Sequence, residues 1–128
     1  MASYGMTKVV DLPYQQAVDK VTDALKAEGF GVLATINVQE TLKQKLGVDL
    51  GDYVILGACN PQLAYQALQT EQEIGLLLPC NVIVYTSGGK TAVSVLDPQQ
   101  ALGITNNESL SSIAEEAKAK LERALAAV

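Results

Sequence analysis

Two uninterrupted apolar runs constrain the fold of this chain more than any other feature of its sequence. Val54-Ile55-Leu56 and Val82-Ile83-Val84 each place large aliphatic side chains at consecutive positions. A strand with one solvated face alternates apolar and polar residues, so these runs predict central strands that are buried on both faces. Helices would cover one face of such a sheet. Short helices, a second subunit or a bound ligand could cover the other.

The remaining turn and periodicity signals predict an α+β order. Five segments have strand character: Thr7 to Asp11, Gly31 to Ile36, Tyr53 to Ala58, Cys80 to Thr86 and Thr91 to Leu96. A Ser-Gly-Gly-Lys turn joins the last two into a hairpin. Helices are predicted to begin at Pro13, Asn37, Asn60 and Asn107, whereas Asp97-Pro98 predicts a strand break and a loop. The result is a two-layer sandwich of helices on a mixed or antiparallel sheet, with a C-terminal β-hairpin and a long final helix.

Length and composition favour one well-packed domain over residues 1–128. The chain has 128 residues, of which 48% are hydrophobic and 18% charged, enough for a core without disulfides or metal. It lacks an apolar run of membrane-spanning length and a signal-peptide pattern, so we expect a cytoplasmic protein with no membrane partner. A net charge of −5 argues against a nucleic-acid partner, because phosphate binding needs a cationic face.

Two Cys-Asn motifs carry the candidate functional residues. Cys59-Asn60-Pro61 follows the third predicted strand, and Pro79-Cys80-Asn81 begins the fourth. If these strands are antiparallel neighbours, both thiols lie at one rim of the sheet. The helix that follows Cys59 adds a dipole that favours a thiolate, and free N–H groups that can receive an anion or a carbonyl oxygen. The predicted ligand-binding residues are Cys59, Asn60, Pro61, Pro79, Cys80 and Asn81.

Three functions are compatible with this rim. The one we favour is a non-catalytic module that binds a small molecule or a protein there. A thiol-dependent redox protein or enzyme and a soft-metal carrier are the alternatives, both using Cys59 and Cys80. A purely structural role also explains these residues. Free cysteine often behaves as a small buried hydrophobe, and Asn60 is explained as a helix cap.

Residues that could activate a catalytic cysteine, either a base or a cation, are scarce in the sequence. The chain contains no His, and no Lys or Arg occurs between Lys45 and Lys90, so a thiolate has no base or cation near it in sequence. We therefore predict no catalytic residue, no metal ligand and no cofactor.

Several segments, taken in order and spacing, resemble the domain-of-unknown-function 302 family over nearly the whole chain. They are Glu28 to Leu33, Lys45 to Val48, Ile55 to Pro61, Glu73 to Val82 and Asp97-Pro98. The resemblance implies a two-layer α+β domain of TATA-binding-protein-like topology, and it implies no activity and no catalytic residues. The similarity to a DNA-binding saddle does not extend to function. An acidic chain lacks the positive charge that binds phosphates, and with one Phe and no Trp it lacks the large apolar side chains that such a saddle inserts between base pairs.

The two-sided apolar strands also predict a homo-oligomer, most simply a homodimer. A bare sheet face of Val, Ile and Leu would expose on the order of several hundred Å² of apolar surface, more than monomers usually tolerate. Two-fold pairing is the commonest way to bury such a patch. The competing expectation is a three-layer monomer in which the short helices near Leu42 and Leu68 fold over the second face.

Overall fold

One antiparallel sheet of five strands organises the computed structural model, which describes residues 3–128. Its strands lie in the order β1-β5-β4-β3-β2, and every neighbouring pair is antiparallel. The strands are β1 (Gly5–Val10), β2 (Gly31–Asn37), β3 (Tyr53–Cys59), β4 (Cys80–Ser87) and β5 (Lys90–Leu96). The predicted α+β class is confirmed, and the sheet is antiparallel throughout rather than mixed.

Five α-helices and two short 3-10 helices complete the described part of the chain. The α-helices are α1 (Tyr14–Ala27), α2 (Val38–Leu46), α3 (Pro61–Thr70), α4 (Pro98–Gly103) and α5 (Ser111–Ala126). The 3-10 helices are Gln72–Leu77 and Glu108–Leu110. The asparagine caps of α2 and α3 are confirmed, since Asn37 and Asn60 each accept a hydrogen bond from a backbone N–H three residues on. No helix within residues 3–128 is long and apolar enough to cross a membrane.

The core lies between one face of the sheet and the long helices. Val54, Leu56 and Ala58 on β3 share this face with Val82 and Val84 on β4, and all five are buried. They form one cluster with the buried residues of α1, α3 and α5, among them Val21, Leu25, Leu63 and Leu121. The helix that contains Leu68 therefore belongs to the helical layer and does not cover the opposite face.

Within one chain, the central strands are fully buried on one face only, so burial of their second face by another subunit or a ligand stays a prediction. Ile36, Ile55 and Ile83 are cross-strand partners in one row on the face away from the core. Ile55 and Ile83 are only half-buried, and Ile36 is exposed. The reason is that the helical layer covers a single face, and successive side chains of a strand alternate between the two faces. We call this second surface the open face.

The sequence predicts a loop after Asp97-Pro98, and this prediction is wrong because the pair begins α4. The Asp97 carboxylate accepts a hydrogen bond from the Gln99 N–H at 2.9 Å and forms a salt bridge with Lys118 at 3.0 Å. Proline at the first helical position needs no hydrogen-bonded N–H, so Asp-Pro is a helix start like Asn60-Pro61. Similarly, Asn107 caps the second 3-10 helix, which leads into α5, rather than α5 directly.

Candidate functional site

The β3–β4 ladder brings the two Cys-Asn motifs to one rim of the sheet. Ala58 at the end of β3 is the direct partner of Cys80 at the start of β4, so Cys59 and Cys80 lie at the same end of the two strands. Gly57 allows a close approach here, because an added Cβ would lie 3.0 Å from Cγ of Pro79. Both cysteines are free and half-buried. The antiparallel neighbours expected from the sequence therefore do place the motifs together.

A cavity of about 430 Å³ lies beside this rim, and we call it the rim cavity. The sheet contributes Ala58, Cys59 and Cys80 to its wall, and the segment leading into β4 contributes Leu77, Leu78 and Pro79. Its helical walls contain Leu63, Ala64 and Ala67 of α3, Ala101 and Leu102 of α4, and Ile113 and Ala117 of α5. Four of these helical residues are alanines, whose short side chains leave space between the helices instead of filling it.

The exposed lining residues mark the mouth of the rim cavity. Leu33 on β2 is 73% exposed and Leu68 on α3 is 42% exposed, although both line the space. Leu33 lies at an irregularity in the β2–β3 register between Val32 and Ala34, typical of a β-bulge, which redirects a side chain. The cavity thus has apolar residues at its entrance as well as in its interior.

Asn60 is the polar side chain of the cavity wall, apart from the two thiols. Its Oδ1 accepts a hydrogen bond from the Leu63 N–H at 3.2 Å, which fixes the orientation of the amide. Its Nδ2 lies beside Gly29, 3.0 Å from where a Cβ on that residue would stand. Gly29 has a positive φ of 83° and ends α1, so the end of α1 and the start of α3 meet at this amide.

The environment of Cys80 suits a neutral thiol rather than a thiolate. Burial in the apolar wall raises the pKa of Cys80 from its ordinary value of 9.0 to about 11, and the nearby Cys59 adds to the shift. A nucleophilic cysteine needs the opposite, namely a cationic or hydrogen-bonding environment that stabilises the thiolate. Cys59 and Cys80 are the residues that could hold a soft ion. Residues 3–128 contain no cluster of three or more His, Cys, Asp or Glu side chains suited to a metal.

The structure brings four of the six predicted site residues into the cavity wall. Cys59, Asn60, Pro79 and Cys80 line it, whereas Pro61 and Asn81 do not belong to the lining and are exposed. Asn81 is the partner of Gly57 and therefore points to the open face, not towards α3. Sequence reasoning missed most of the apolar lining: Phe30, Leu63, Ala67, Leu77, Leu102, Ile113 and Ala117. The helical positions among these have the same periodicity as core residues, which gives no separate signal for a cavity.

The opposite end of the sheet has a groove of different chemistry. It is lined by Asp11, Tyr14, Asp52 and Lys90, together with apolar residues such as Val10 and Leu12. Burial raises the pKa of Tyr14, and the charge of Asp52 acts in the same direction. This groove mixes polar and apolar residues and lacks the Cys-Asn motifs, whereas the lining of the rim cavity is almost wholly apolar, so the rim cavity is the better candidate site.

The fold and the rim define a two-layer α+β domain with an apolar cavity beside its sheet. The chain belongs to the family described as domain of unknown function DUF302, whose model matches residues 6–128. It is similar to an uncharacterised conserved DUF302 protein from Bacillus stearothermophilus, known from a crystal structure, with 34% identity and a TM-score of 0.91. The similarity covers 97% of each chain. Comparison with curated proteins gave no match.

Proposed function

We propose that this protein is a non-catalytic binding module that takes a small, largely apolar molecule into the rim cavity. The observation that carries the proposal is the cavity itself, about 430 Å³ in volume and walled by aliphatic side chains. Sites for small molecules are typically a few hundred Å³, mostly apolar, with a small number of polar groups that orient the ligand. Asn60 and the two thiols are that small number here.

The chemistry of the wall supports binding over catalysis. Burial holds Cys80 as a thiol, with a pKa of about 11, and the chain contains no His that could act as its base. A covalent mechanism needs an activated nucleophile next to a base, and this wall supplies aliphatic neighbours instead. A thiol-dependent enzyme or a soft-metal carrier would use the same two cysteines, but the apolar volume beside them is not needed for either.

Diphenylhexatriene, a hydrocarbon dye that fluoresces in apolar surroundings, tests the proposal directly. We expect its emission to rise saturably on titration with the protein, at one molecule per chain. Gly75 is an exposed glycine that lines the rim cavity, and a Cβ added there meets nothing within 4 Å, so a larger side chain is accommodated at the edge of the space. Gly75→Leu should therefore lower the affinity for the dye at least about tenfold, because a filled cavity loses the ligand's apolar contacts.

Gly103→Leu is the matched control for the cavity-filling variant. Gly103 is an exposed glycine whose added Cβ also meets nothing within 4 Å, but it is outside the lining of the rim cavity. Its dye affinity should equal that of the wild type, and circular dichroism should show both variants folded. The absence of saturable dye binding by the wild type, or equal dye affinity in a folded Gly75→Leu protein, would contradict the proposal.

A further inference from the structure

Resting on the proposed function, we infer that the ligand of the rim cavity is an uncharged molecule whose apolar body carries one hydrogen-bond acceptor, bound by Nδ2 of Asn60. Ketones, esters and ethers with an alkyl chain belong to this class. The inference follows from three properties of the wall: its lack of charge, the orientation of one amide and the position of that amide among apolar residues.

The wall is electrically neutral. Among the residues that the structure describes, none with an ionisable side chain other than the two cysteines lines the rim cavity. Burial also keeps Cys80 in its uncharged thiol form at neutral pH. A carboxylate or ammonium group inside this space would lose its hydration without gaining an opposite charge, which is strongly unfavourable. Ligands that would carry a charge into this space are therefore disfavoured.

The amide of Asn60 offers its donors more readily than its oxygen. Its Oδ1 already accepts from the Leu63 N–H at the start of α3, which uses one of the two lone pairs, whereas both donors of the Nδ2 group are available. Within residues 3–128, Nδ2 has no hydrogen-bond partner, and it is accessible to solvent rather than sealed in the wall. A ligand carbonyl or ether oxygen would replace water at this donor, whereas a hydrocarbon that covers it would leave it without a partner. A net hydrogen bond of this kind corresponds to about a tenfold gain in affinity.

Displacement of diphenylhexatriene by two ligands of equal chain length tests this preference. We expect 2-decanone to displace the dye at concentrations at least about tenfold lower than decanoate, because the carboxylate must be dehydrated without a cation nearby. Two variants then isolate the amide. Asn60→Asp retains a good helix cap for α3, Asn60→Ala adds no charge, and neither variant has a side-chain donor at neutral pH.

Relative to its affinity for diphenylhexatriene, which has no acceptor, each variant should bind 2-decanone about tenfold more weakly than the wild type does. Unchanged 2-decanone affinity in both variants, or equal displacement by decanoate, with dye binding intact, would overturn the inference and leave the proposed function standing. If the wild type binds no dye, the proposed function and this inference both fail.

Discussion

At the scale of single residues, Cys80 shows how its surroundings decide what a side chain can do. Cys59, the cysteine of the other Cys-Asn motif, lines the same cavity, and both thiols are free. Burial in the apolar wall is the larger cause of the raised pKa of Cys80, and the nearby Cys59 is the smaller one. Both effects oppose ionisation, so Cys80 contributes to this wall as a small apolar group.

The raised pKa predicts a specific loss of stability at alkaline pH. The unfolded chain releases the Cys80 proton near pH 9.0, whereas the folded protein retains it until about pH 11. Stability from this group is therefore fully present below pH 9 and is lost as the pH rises towards 11, by about 2 kcal/mol. Urea unfolding of the wild type and Cys80→Ala across this range measures it. The difference between the two proteins should shrink with pH; curves that stay parallel would contradict the assignment.

At the scale of elements, the sequence predicts the long and strongly patterned segments well. The strands β3 and β4 and the helices α1 and α5 lie close to their predicted positions, because their apolar spacing is sustained over many residues. The helix α4 was missed because six residues are too short to show a helical period. Only its Asp-Pro start distinguishes it from a loop, and that pair is equally typical of turns.

The candidate site was predictable in part, for a physical reason. Antiparallel pairing of neighbouring strands is enough to bring Cys59 and Cys80 to one rim, and this needs no knowledge of packing. The cavity itself depends on how far α3, α4 and α5 are held apart. Alanines such as Ala67 and Ala117 fit a filled core as well as a cavity wall, so their pattern cannot tell one from the other.

The junction of α1 and β2 gives a prediction at this scale. Gly29 ends α1 with a Schellman motif, in which its own N–H bonds to the Lys26 carbonyl and the Phe30 N–H bonds to the Leu25 carbonyl. Gly29→Ala should destabilise the protein by at least about 2 kcal/mol, because the positive φ is strained and the new Cβ would lie 3.0 Å from Nδ2 of Asn60.

Gly47→Ala is the control for backbone strain alone. Gly47 ends α2 with a φ of 68°, and an added Cβ there meets nothing within 4 Å. Its substitution should cost about 1 kcal/mol, the penalty of a left-handed conformation without a clash. Thermal or urea unfolding of the two variants gives the comparison. Equal losses would show that a Cβ at position 29 makes no costly clash with the Asn60 amide.

At the scale of the whole molecule, the two edges of the sheet differ. The edge strand β1 contains Lys8, whose ammonium group donates to the Val128 carbonyl at 2.7 Å, next to the end of α5. The edge strand β2 has no charged residue between Gly31 and Asn37. Charged residues are a common protection of edge strands against pairing with another chain, and β2 lacks this protection.

Exposed apolar side chains are concentrated near the unprotected edge. The helix α2 follows β2 directly. Within residues 3–128, which the structure describes, none of the nine residues of this helix is buried. Apart from Leu33 at the mouth of the rim cavity, β2, α2 and the loop to β3 expose four large hydrophobic side chains, which we call the β2–α2 surface: Ile36, Leu46, Val48 and Leu50. We propose that a second copy of the chain covers this surface. Two uncharged β2 edges can pair antiparallel about a two-fold axis, so that the free backbone N–H and C=O groups of one edge bond to those of the other.

This proposal keeps the predicted homodimer but places its contact at the β2–α2 surface and the adjoining part of the open face. Sedimentation at micromolar concentration should give a species of twice the chain mass of 13.5 kDa. Ile36→Lys should shift the protein to the monomer, because a desolvated ammonium group without a partner is unfavourable at an interface.

Val9→Lys is the matched control, since Val9 is 61% exposed on the other edge strand, against 51% for Ile36, and the dimer should persist. A wild type that sediments as a monomer would show that β2 and α2 remain uncovered, whereas dissociation by both variants would place the contact elsewhere on the sheet.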